Sequence, residues 1–237
     1  MKVFNKEVWF GGRKIVDDFA KCHRVGFCIM PKDPAALAAP YVSSVNRAVP
    51  LSVLNLGSAT KVEDQGSSPM CAAYSATSYI ESILWRKTGV LPPDIDPCKL
   101  YDWAKHNDGD PDGDGTTLVA VLDGLAALGH IAPDCETKVI MSPFDIKSAV
   151  HRYGFCLLGL NITDEWFRGN RDISDTSAPF VGGHAVLCVG YDDYGVWVLN
   201  SWGSVWGQGG FARISWNALY RQFMYGTFSS GVYRDME

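Results

Sequence analysis

The apolar residues of this chain follow a helical spacing in its first half and form short strand-like runs in its second half. Between Cys71 and Lys87 they recur every three or four residues, and Gly89 follows as a helix terminator. The same spacing predicts further helices over 97–106, 116–128 and 142–154. The last of these opens with a Ser-Pro pair, which is typical of a capped helix start.

Beyond residue 154 the period changes, and β-branched or aromatic runs alternate with Gly and Asp. These runs predict strands over 155–162, 185–191, 196–199 and 211–215. Because helical segments precede the strand segments and do not alternate with them, the pattern predicts an α+β protein with two lobes. We expect a helical lobe over about 65–150 and an antiparallel β-rich lobe over about 151–237, with a cleft between them.

Residues 1–48 differ from the rest of the chain. They contain a Pro/Ala-rich stretch at 31–40, show little periodicity and include one short predicted strand near 25–30. We expect them to form an N-terminal arm or short pro-segment ahead of a compact domain over 49–237. Such an arm could inhibit the protein itself by crossing its cleft.

Composition and charge describe a soluble globular protein. Of 237 residues 47% are hydrophobic, and the net charge is −5 without a run of Lys and Arg, which argues against nucleic acid or a membrane as partner. The start lacks a secretory signal, and no apolar stretch reaches the roughly 18–20 residues of a membrane span. A cytoplasmic location is therefore favoured, with non-classical export as the alternative.

The cysteines do not form a disulfide scaffold or a zinc motif. The chain has 7 cysteines, an odd number, and no Cys-x-x-Cys pair. Cys156 and Cys188 lie within apolar runs and are expected to be buried.

A thiol, an imidazole and an amide follow one another in an order that suggests catalysis. Cys71 opens a predicted helix six residues after Gln65, His184 begins a predicted strand, and Asn200 ends the next one. In a cysteine-nucleophile hydrolase the thiol attacks, the imidazole carries the proton and the amide orients the imidazole. A helix N-terminus also favours an anion, so we expect the pKa of Cys71 to be lowered.

The turn at 192–195 predicts how the imidazole and the amide meet. Asp192-Asp-Tyr-Gly separates two apolar runs, so 184–191 and 196–203 should pair as an antiparallel hairpin. This hairpin places Asn200 on the strand next to His184, within a few positions of being opposite. An amide there can hold one ring nitrogen and leave the other for the thiol.

Together these segments resemble the papain-type cysteine peptidases. The resemblance rests on Gln65-Gly66 before Cys71, on Gly-His-Ala at 183–185 and on Asn-Ser-Trp-Gly at 200–203, and it extends over about 49–230. It implies a papain-like two-lobe endopeptidase without cofactor or metal that acts on peptides or proteins. It also implies four catalytic roles, which are nucleophile for Cys71, acid/base for His184, orienting group for Asn200 and oxyanion donor for Gln65.

The same resemblance supplies candidate substrate-binding residues. Gly115 is similar to the family's glycine whose backbone pairs with an extended substrate. The full set that the resemblance implies is Gly115, Thr116, Thr117, Phe180, Gly183, Ala185 and Trp202. The chain also departs from the family, because Ser68 stands where a disulfide cysteine is usual and Pro69-Met70 alter the wall beside the scissile bond. The missing disulfide fits a reducing compartment.

Three alternatives remain open at this stage. A thiol amidase or acyltransferase would use the same triad, and a non-catalytic peptide-binding module would keep the fold. The acidic loop from Asp108 to Asp114 mimics the start of a calcium loop, but its twelfth position is Val119 and not Glu, so a solvated acidic turn is favoured. This loop could also form an acidic rim that attracts basic peptides.

Overall fold

The computed structural model of the protein describes residues 9–10, 13–14, 40–41, 43, 49–110 and 112–232. The helices are α1 (Cys71–Thr88), α2 (Pro97–Asn107), α3 (Leu118–Ala127), α4 (Phe144–Tyr153) and α5 (Trp216–Gln222). The strands are β1 (Trp9–Phe10), β2 (Arg13–Lys14), β3 (Val53–Leu54), β4 (Thr137–Ile140), β5 (Cys156–Thr163), β6 (Asp172–Ile173), β7 (Phe180–Tyr191), β8 (Gly195–Leu199), β9 (Phe211–Ser215) and β10 (Phe223–Ser229). The strand predicted near 25–30 and most of the predicted arm lie outside the described residues.

The four predicted helices are confirmed, and local chemistry explains their ends. Helix α1 ends at Gly89, whose φ of 70° is left-handed, and the Thr117 hydroxyl caps α3 by accepting from the Ala120 N–H at 3.0 Å. Helix α4 begins at Phe144, with Pro143 already in a helical conformation. The Ser142 hydroxyl accepts from the Phe144 N–H at 3.3 Å, so the Ser-Pro pair does open this helix.

Eight strands form one open sheet in the order β4-β10-β5-β7-β8-β9-β6, with β3 paired to β7, and β1 and β2 form a separate antiparallel pair. All neighbours are antiparallel except β6 and β9. The α+β class with a helical part and an antiparallel-rich sheet is thereby confirmed. Helix α4 falls within the segment predicted as helical lobe, but it packs against β5 and β7 and so covers the sheet.

Helices α2 and α3 lie close together beneath the loop that joins them. Gly124 of α3 permits this approach, because a Cβ there would lie 2.8 Å from Leu100 Cδ1 and 2.9 Å from Trp103 Cε3. Helix α1 packs on β7, the longest of the described strands, and its first residue, Cys71, is buried. The loop before α3 and the start of α1 are therefore held on a rigid frame.

The described end of the predicted arm lies on the outer strand of the sheet. Pro40 pairs in parallel with Val139 of β4, and the Tyr41 N–H donates to the Val139 carbonyl at 2.7 Å. The Tyr41 ring lies edge-on against Phe228, with centroids 5.0 Å apart. Ser43 donates through both its N–H and its hydroxyl to Asp145 at the start of α4. Within the described residues, no helix combines the length and apolarity needed to cross a bilayer.

Candidate active site

The Cys71 thiol lies where the N-terminus of α1 meets β7. It is fully buried and accepts a hydrogen bond from the backbone N–H of Ala185. One turn along α1, the Ser75 hydroxyl donates to the Ala185 carbonyl at 3.0 Å. The backbone N–H and the carbonyl of Ala185, the residue after His184, are thus both hydrogen-bonded to α1. These bonds bring the predicted thiol and imidazole segments together.

The protonation of Cys71 differs from the expectation. Burial raises the pKa of the thiol to about 12, although hydrogen bonds from the backbone N–H groups of Ala185, Ala72 and Cys71 itself favour the thiolate. The increase in pKa that desolvation causes at the fully buried sulfur is therefore larger than the decrease that the helix N-terminus causes. In this state of the chain the thiol is protonated at neutral pH.

His184 and Asn200 form a buried hydrogen bond. Asn200 Oδ1 lies 2.8 Å from His184 Nε2 and also accepts from the backbone N–H of Ser201 at 2.8 Å. Because a backbone N–H can only donate, the Ser201 contact assigns the oxygen of the amide. An amide oxygen only accepts, so the imidazole must carry a proton on Nε2. The other nitrogen, Nδ1, is then the atom that can exchange a proton with a thiol.

The predicted hairpin accounts for this contact. Strands β7 and β8 pair with Leu187 opposite Leu199 and Cys188 opposite Val198. Continuing this register puts Asn200 two positions from the residue that faces His184, on the same side of the hairpin. The sequence prediction of neighbouring strands is confirmed.

Gln65 is held by the segment that carries Asn200. Its Oε1 accepts from the Ser201 hydroxyl at 2.6 Å, and its amide nitrogen donates to the Ser68 carbonyl at 2.9 Å. Asp64 forms an isolated antiparallel bridge with Trp202. The structure therefore gathers the segments of all four predicted catalytic residues in one place.

An aromatic cluster buries the His184 ring. The ring centroid of Trp202 lies 4.7 Å from that of His184, and Trp166 lies 5.8 Å away in an edge-on arrangement. Phe167 stacks on Trp202 at 5.3 Å. Trp202, predicted among the substrate-binding residues, is fully buried and covers the imidazole, so it offers no exposed surface. Trp206 completes the cluster at 5.8 Å from Trp202.

The other predicted substrate-binding residues lie on two sides of this place. Gly115, Thr116 and Thr117 precede α3, and all three are buried. Gly183 and Ala185 flank His184 on β7 and are also buried. Phe180, at the start of β7, is 43% exposed, and the Arg221 guanidinium lies over its ring at 4.3 Å. The structure places these residues but does not contain a substrate.

A lysine organises the acidic loop that was considered for calcium. Lys105 Nζ donates to Asp108 Oδ2 at 2.9 Å and to the carbonyl of Asp110, and the Asp108 side chain is 1% exposed. Asp108 Oδ1 accepts from the Asp110 N–H at 2.9 Å. An ammonium group thus meets the oxygen atoms that a calcium ion would need, whereas Asp112 and Asp114 face solvent.

Among the described residues, the other cysteines and histidines make none of the contacts given above for this place. Cys98 is exposed, and Cys156 and Cys188 are buried as predicted and face each other across β5 and β7. Burial raises the pKa of Cys156, and the neighbouring Cys188 raises it further. The three described histidines outside the site are exposed: His106, His130 and His151.

Sequence reasoning missed three contributors to this arrangement. Trp166 and Phe167 lie in a short 3₁₀ helix, and no spacing in the sequence connects them with His184. The sequence marks Ser201 only as part of the Asn-Ser-Trp-Gly motif at 200–203. Its hydrogen bond to Gln65 joins residues that lie 136 positions apart in sequence. Local patterns carry no signal for contacts of this kind.

Known proteins that are similar to this chain include cysteine proteases. A sequence profile described as "Papain family cysteine protease" matches residues 138–228, which include His184 and Asn200. Xylellain, a cysteine protease from Xylella fastidiosa, is similar in structure with a TM-score of 0.70 and 18% identity, over 87% of this chain and 96% of that one. The resemblance to papain-type cysteine peptidases is confirmed over 138–228 by the profile and over most of the chain by the shared fold.

Two further similar structures are precursor forms. Procathepsin B S9 from Trypanosoma congolense has a TM-score of 0.69 and 17% identity, covering 94% of this chain and 92% of its own. The digestive procathepsin L 3 of Tenebrio molitor larval midgut has a TM-score of 0.66 and 19% identity, covering 96% of this chain and 83% of its own. At these identities the likeness is one of fold.

Proposed function

We propose that the protein is an endopeptidase that cleaves peptide bonds through a thioester on Cys71. The observation that carries this proposal is the junction of α1 and β7. There the Ala185 N–H donates to the Cys71 thiol, while the adjacent His184 is held through Nε2 by Asn200 Oδ1 at 2.8 Å. A nucleophile, a base and a group that orients the base are the requirements for covalent acyl transfer.

The reaction proceeds in two halves. His184 Nδ1 takes the thiol proton as Cys71 Sγ attacks the substrate carbonyl, and the carbonyl oxygen becomes an oxyanion. The Gln65 side-chain amide and the Cys71 backbone N–H stabilise that oxyanion, and His184 then gives its proton to the leaving amine. In the second half His184 takes a proton from water, the water attacks the thioester, and the thiol is regenerated.

We further propose that the domain over 49–237 is latent until the arm over 1–48 is removed or displaced. Two observations support this proposal. Cys71 is fully buried with a pKa raised to about 12, which is unsuited to attack at neutral pH. In addition, two of the similar structures are procathepsins. Opening the site to water would reduce the desolvation of the thiolate and lower the pKa of the thiol.

Intact mass measured after treatment with an epoxysuccinyl thiol inhibitor at pH 6 tests both proposals. The folded full-length chain is compared before and after cutting at a protease site engineered between residues 44 and 48. We expect a single adduct only after cutting, lost in Cys71→Ala and retained in Cys98→Ala, whose thiol is exposed.

The possible results separate the proposals. An adduct on the uncut chain would disprove latency but support Cys71 as nucleophile. No adduct on either form would disprove the catalytic proposal. Turnover of small amides or acyl transfer to an added amine, without peptide cleavage by the labelled form, would favour the thiol amidase or acyltransferase alternative.

A further inference from the structure

Helix α2 presents two side chains, one turn apart, to the loop that leads into α3. The Tyr101 hydroxyl accepts from the Gly115 N–H at 3.2 Å, and Lys105 binds Asp108 and the carbonyl of Asp110. Residues at i and i+4 lie on the same face of a helix. One face of α2 therefore holds both ends of the loop over 108–115.

The segment Gly115–Thr117 lies at the end of this loop, and hydrogen bonds also fix it where it joins α3. Thr117 caps α3, and the Leu118 N–H donates to the Tyr225 hydroxyl of β10 at 2.9 Å. Gly115 has a φ of 80°, which only glycine adopts readily, so its peptide groups are turned out of the ordinary extended direction.

Thr116 gives an independent indication that this segment receives a ligand. Its hydroxyl is fully buried and has no hydrogen-bond partner within the part of the chain that the structure describes. A buried hydroxyl without a partner is unfavourable, and an arriving main-chain group could satisfy it.

We propose that Tyr101 is a positioning residue: by binding the Gly115 N–H it orients the Gly115 carbonyl to accept from the main-chain N–H of an extended substrate, with Lys105 securing the far end of the loop. This proposal rests on the proposed peptidase function. Tyr101 acts through Gly115 and takes no part in bond cleavage. Its removal should therefore weaken substrate binding without slowing the chemical step.

The groups around Tyr101 keep its hydroxyl protonated. Burial raises the pKa of Tyr101, and the neighbouring Asp114, Asp108 and Cys71 raise it further, whereas the Gly115 N–H opposes them. The hydroxyl stays protonated at neutral pH and can accept the Gly115 N–H.

Steady-state kinetics of Tyr101→Phe on a peptide substrate test the proposal. The full-length chain is cut at the engineered site, and KM and kcat are compared with wild type. We expect KM to rise about two- to tenfold with kcat unchanged, the effect of losing one hydrogen bond. Tyr191→Phe is the matched control, because it also loses a hydroxyl bond to a backbone group, the Pro50 carbonyl at 3.1 Å, at the far end of β7.

Two labelling rates on the same variants separate positioning from general damage. Tyr101→Phe should slow modification of Cys71 by a peptide-bearing epoxysuccinyl inhibitor by a similar factor, but not modification by iodoacetamide, which has no peptide chain. Equal slowing of both reagents, or unchanged KM in an active enzyme, would overturn the proposal. Wild type that cleaves no peptide would instead disprove the proposed function, and the role of Tyr101 would fall with it.

Discussion

Ser201 and Gln65 bind each other through both main chain and side chain. The Gln65 N–H donates to the Ser201 carbonyl at 2.8 Å, while the Ser201 hydroxyl donates to Gln65 Oε1 at 2.6 Å. The residue next to Asn200 therefore fixes the side chain proposed to stabilise the oxyanion. The two halves of the site are coupled by direct hydrogen bonds.

Ser201→Ala should lower kcat of the cut enzyme about two- to tenfold, because the Gln65 amide loses the bond that orients it. KM should change less, since the oxyanion forms only during reaction. Ser204→Ala, an exposed serine three residues further on, is the control and should leave kcat unchanged. A variant as active as wild type would show that Gln65 needs no support from Ser201.

Asn200→Ala should reduce kcat about ten- to a hundredfold, because the His184 ring loses the acceptor that sets its tautomer. Asn200→Asp keeps an acceptor and adds a negative charge that favours the imidazolium, so it should retain more activity with its pH profile shifted to higher pH. Asn217→Ala in α5, at an exposed position, serves as control. Equal activity of Asn200→Ala and wild type would contradict the proposed role.

Calcium should have no effect on the melting temperature, because the Lys105 ammonium already binds the Asp108 carboxylate and the Asp110 carbonyl that the ion would need. Lys105→Met should destabilise the fold by about 3–5 kcal/mol, since it leaves the buried Asp108 carboxylate without its partner. The Lys99 side chain on the same helix is 79% exposed, so Lys99→Met should lower the free energy of unfolding far less than Lys105→Met does. Thermal unfolding with added calcium or chelator measures both effects, and a calcium-induced rise in Tm would contradict this interpretation.

Alkylation of Cys71 in the uncut chain should accelerate with pH without levelling off below about pH 12, because burial raises the pKa of the thiol to about 12. The exposed Cys98 in the same molecule should react faster at every pH below that. After cutting between 44 and 48 we expect the Cys71 profile to shift to lower pH. Mass spectrometry of iodoacetamide-labelled peptides measures both rates, and coincident Cys71 profiles before and after cutting would refute the shift.

Glu81 should make stability depend on pH. Burial raises its pKa above the ordinary value of 4.5, while hydrogen bonds from the Ile95 N–H and the Thr60 hydroxyl oppose this. The folded chain then holds a proton that the unfolded chain releases, so stability is lost as pH rises from about 4.5 through the folded pKa.

Glu81→Gln stays neutral and lacks this dependence. The free energy of unfolding of wild type minus that of Glu81→Gln should therefore fall as pH rises above about 4.5, as measured by urea unfolding. Glu136→Gln, whose side chain is 65% exposed in the wild type, is the control. A difference between wild type and Glu81→Gln that stays constant with pH would contradict the assignment.

The sequence predicted those parts of the fold that local patterns determine. The turn at 192–195 was sufficient to predict the hairpin. The hairpin in turn predicted that Asn200 lies beside His184. Strand β10 was missed because Phe223–Ser229 mixes aromatic, Gly and Thr residues without clear alternation, and its two partners are distant in sequence. The parallel pair β6–β9 has no local signal, since Asp172–Ile173 is only two residues long.

The charge state of Cys71 shows where sequence reasoning stops. A thiol at a helix N-terminus predicts a lowered pKa, but the pKa is raised because the desolvation of Cys71 depends on everything that packs around it. The segments that carry Gln65, Cys71, His184 and Asn200 were recognisable from motifs. Three features were not predictable, because they depend on contacts between distant parts of the chain. They are the burial of these segments, the aromatic cluster that covers His184 and the hydrogen bond from Gly115 to α2.

The position of β10 sets when this enzyme can become complete during synthesis. Strands β4 and β5 do not pair with each other, and β10 lies between them. A ribosome releases the chain from its N-terminus onward, so β10 is the last of the described strands to emerge. Until then β4 and β5 lack their common neighbour, and the N-terminus of α3 lacks the Tyr225 hydroxyl. The sheet that carries His184 is therefore finished only after residue 229 has emerged, and a nascent chain stopped before residue 223 cannot assemble this sheet.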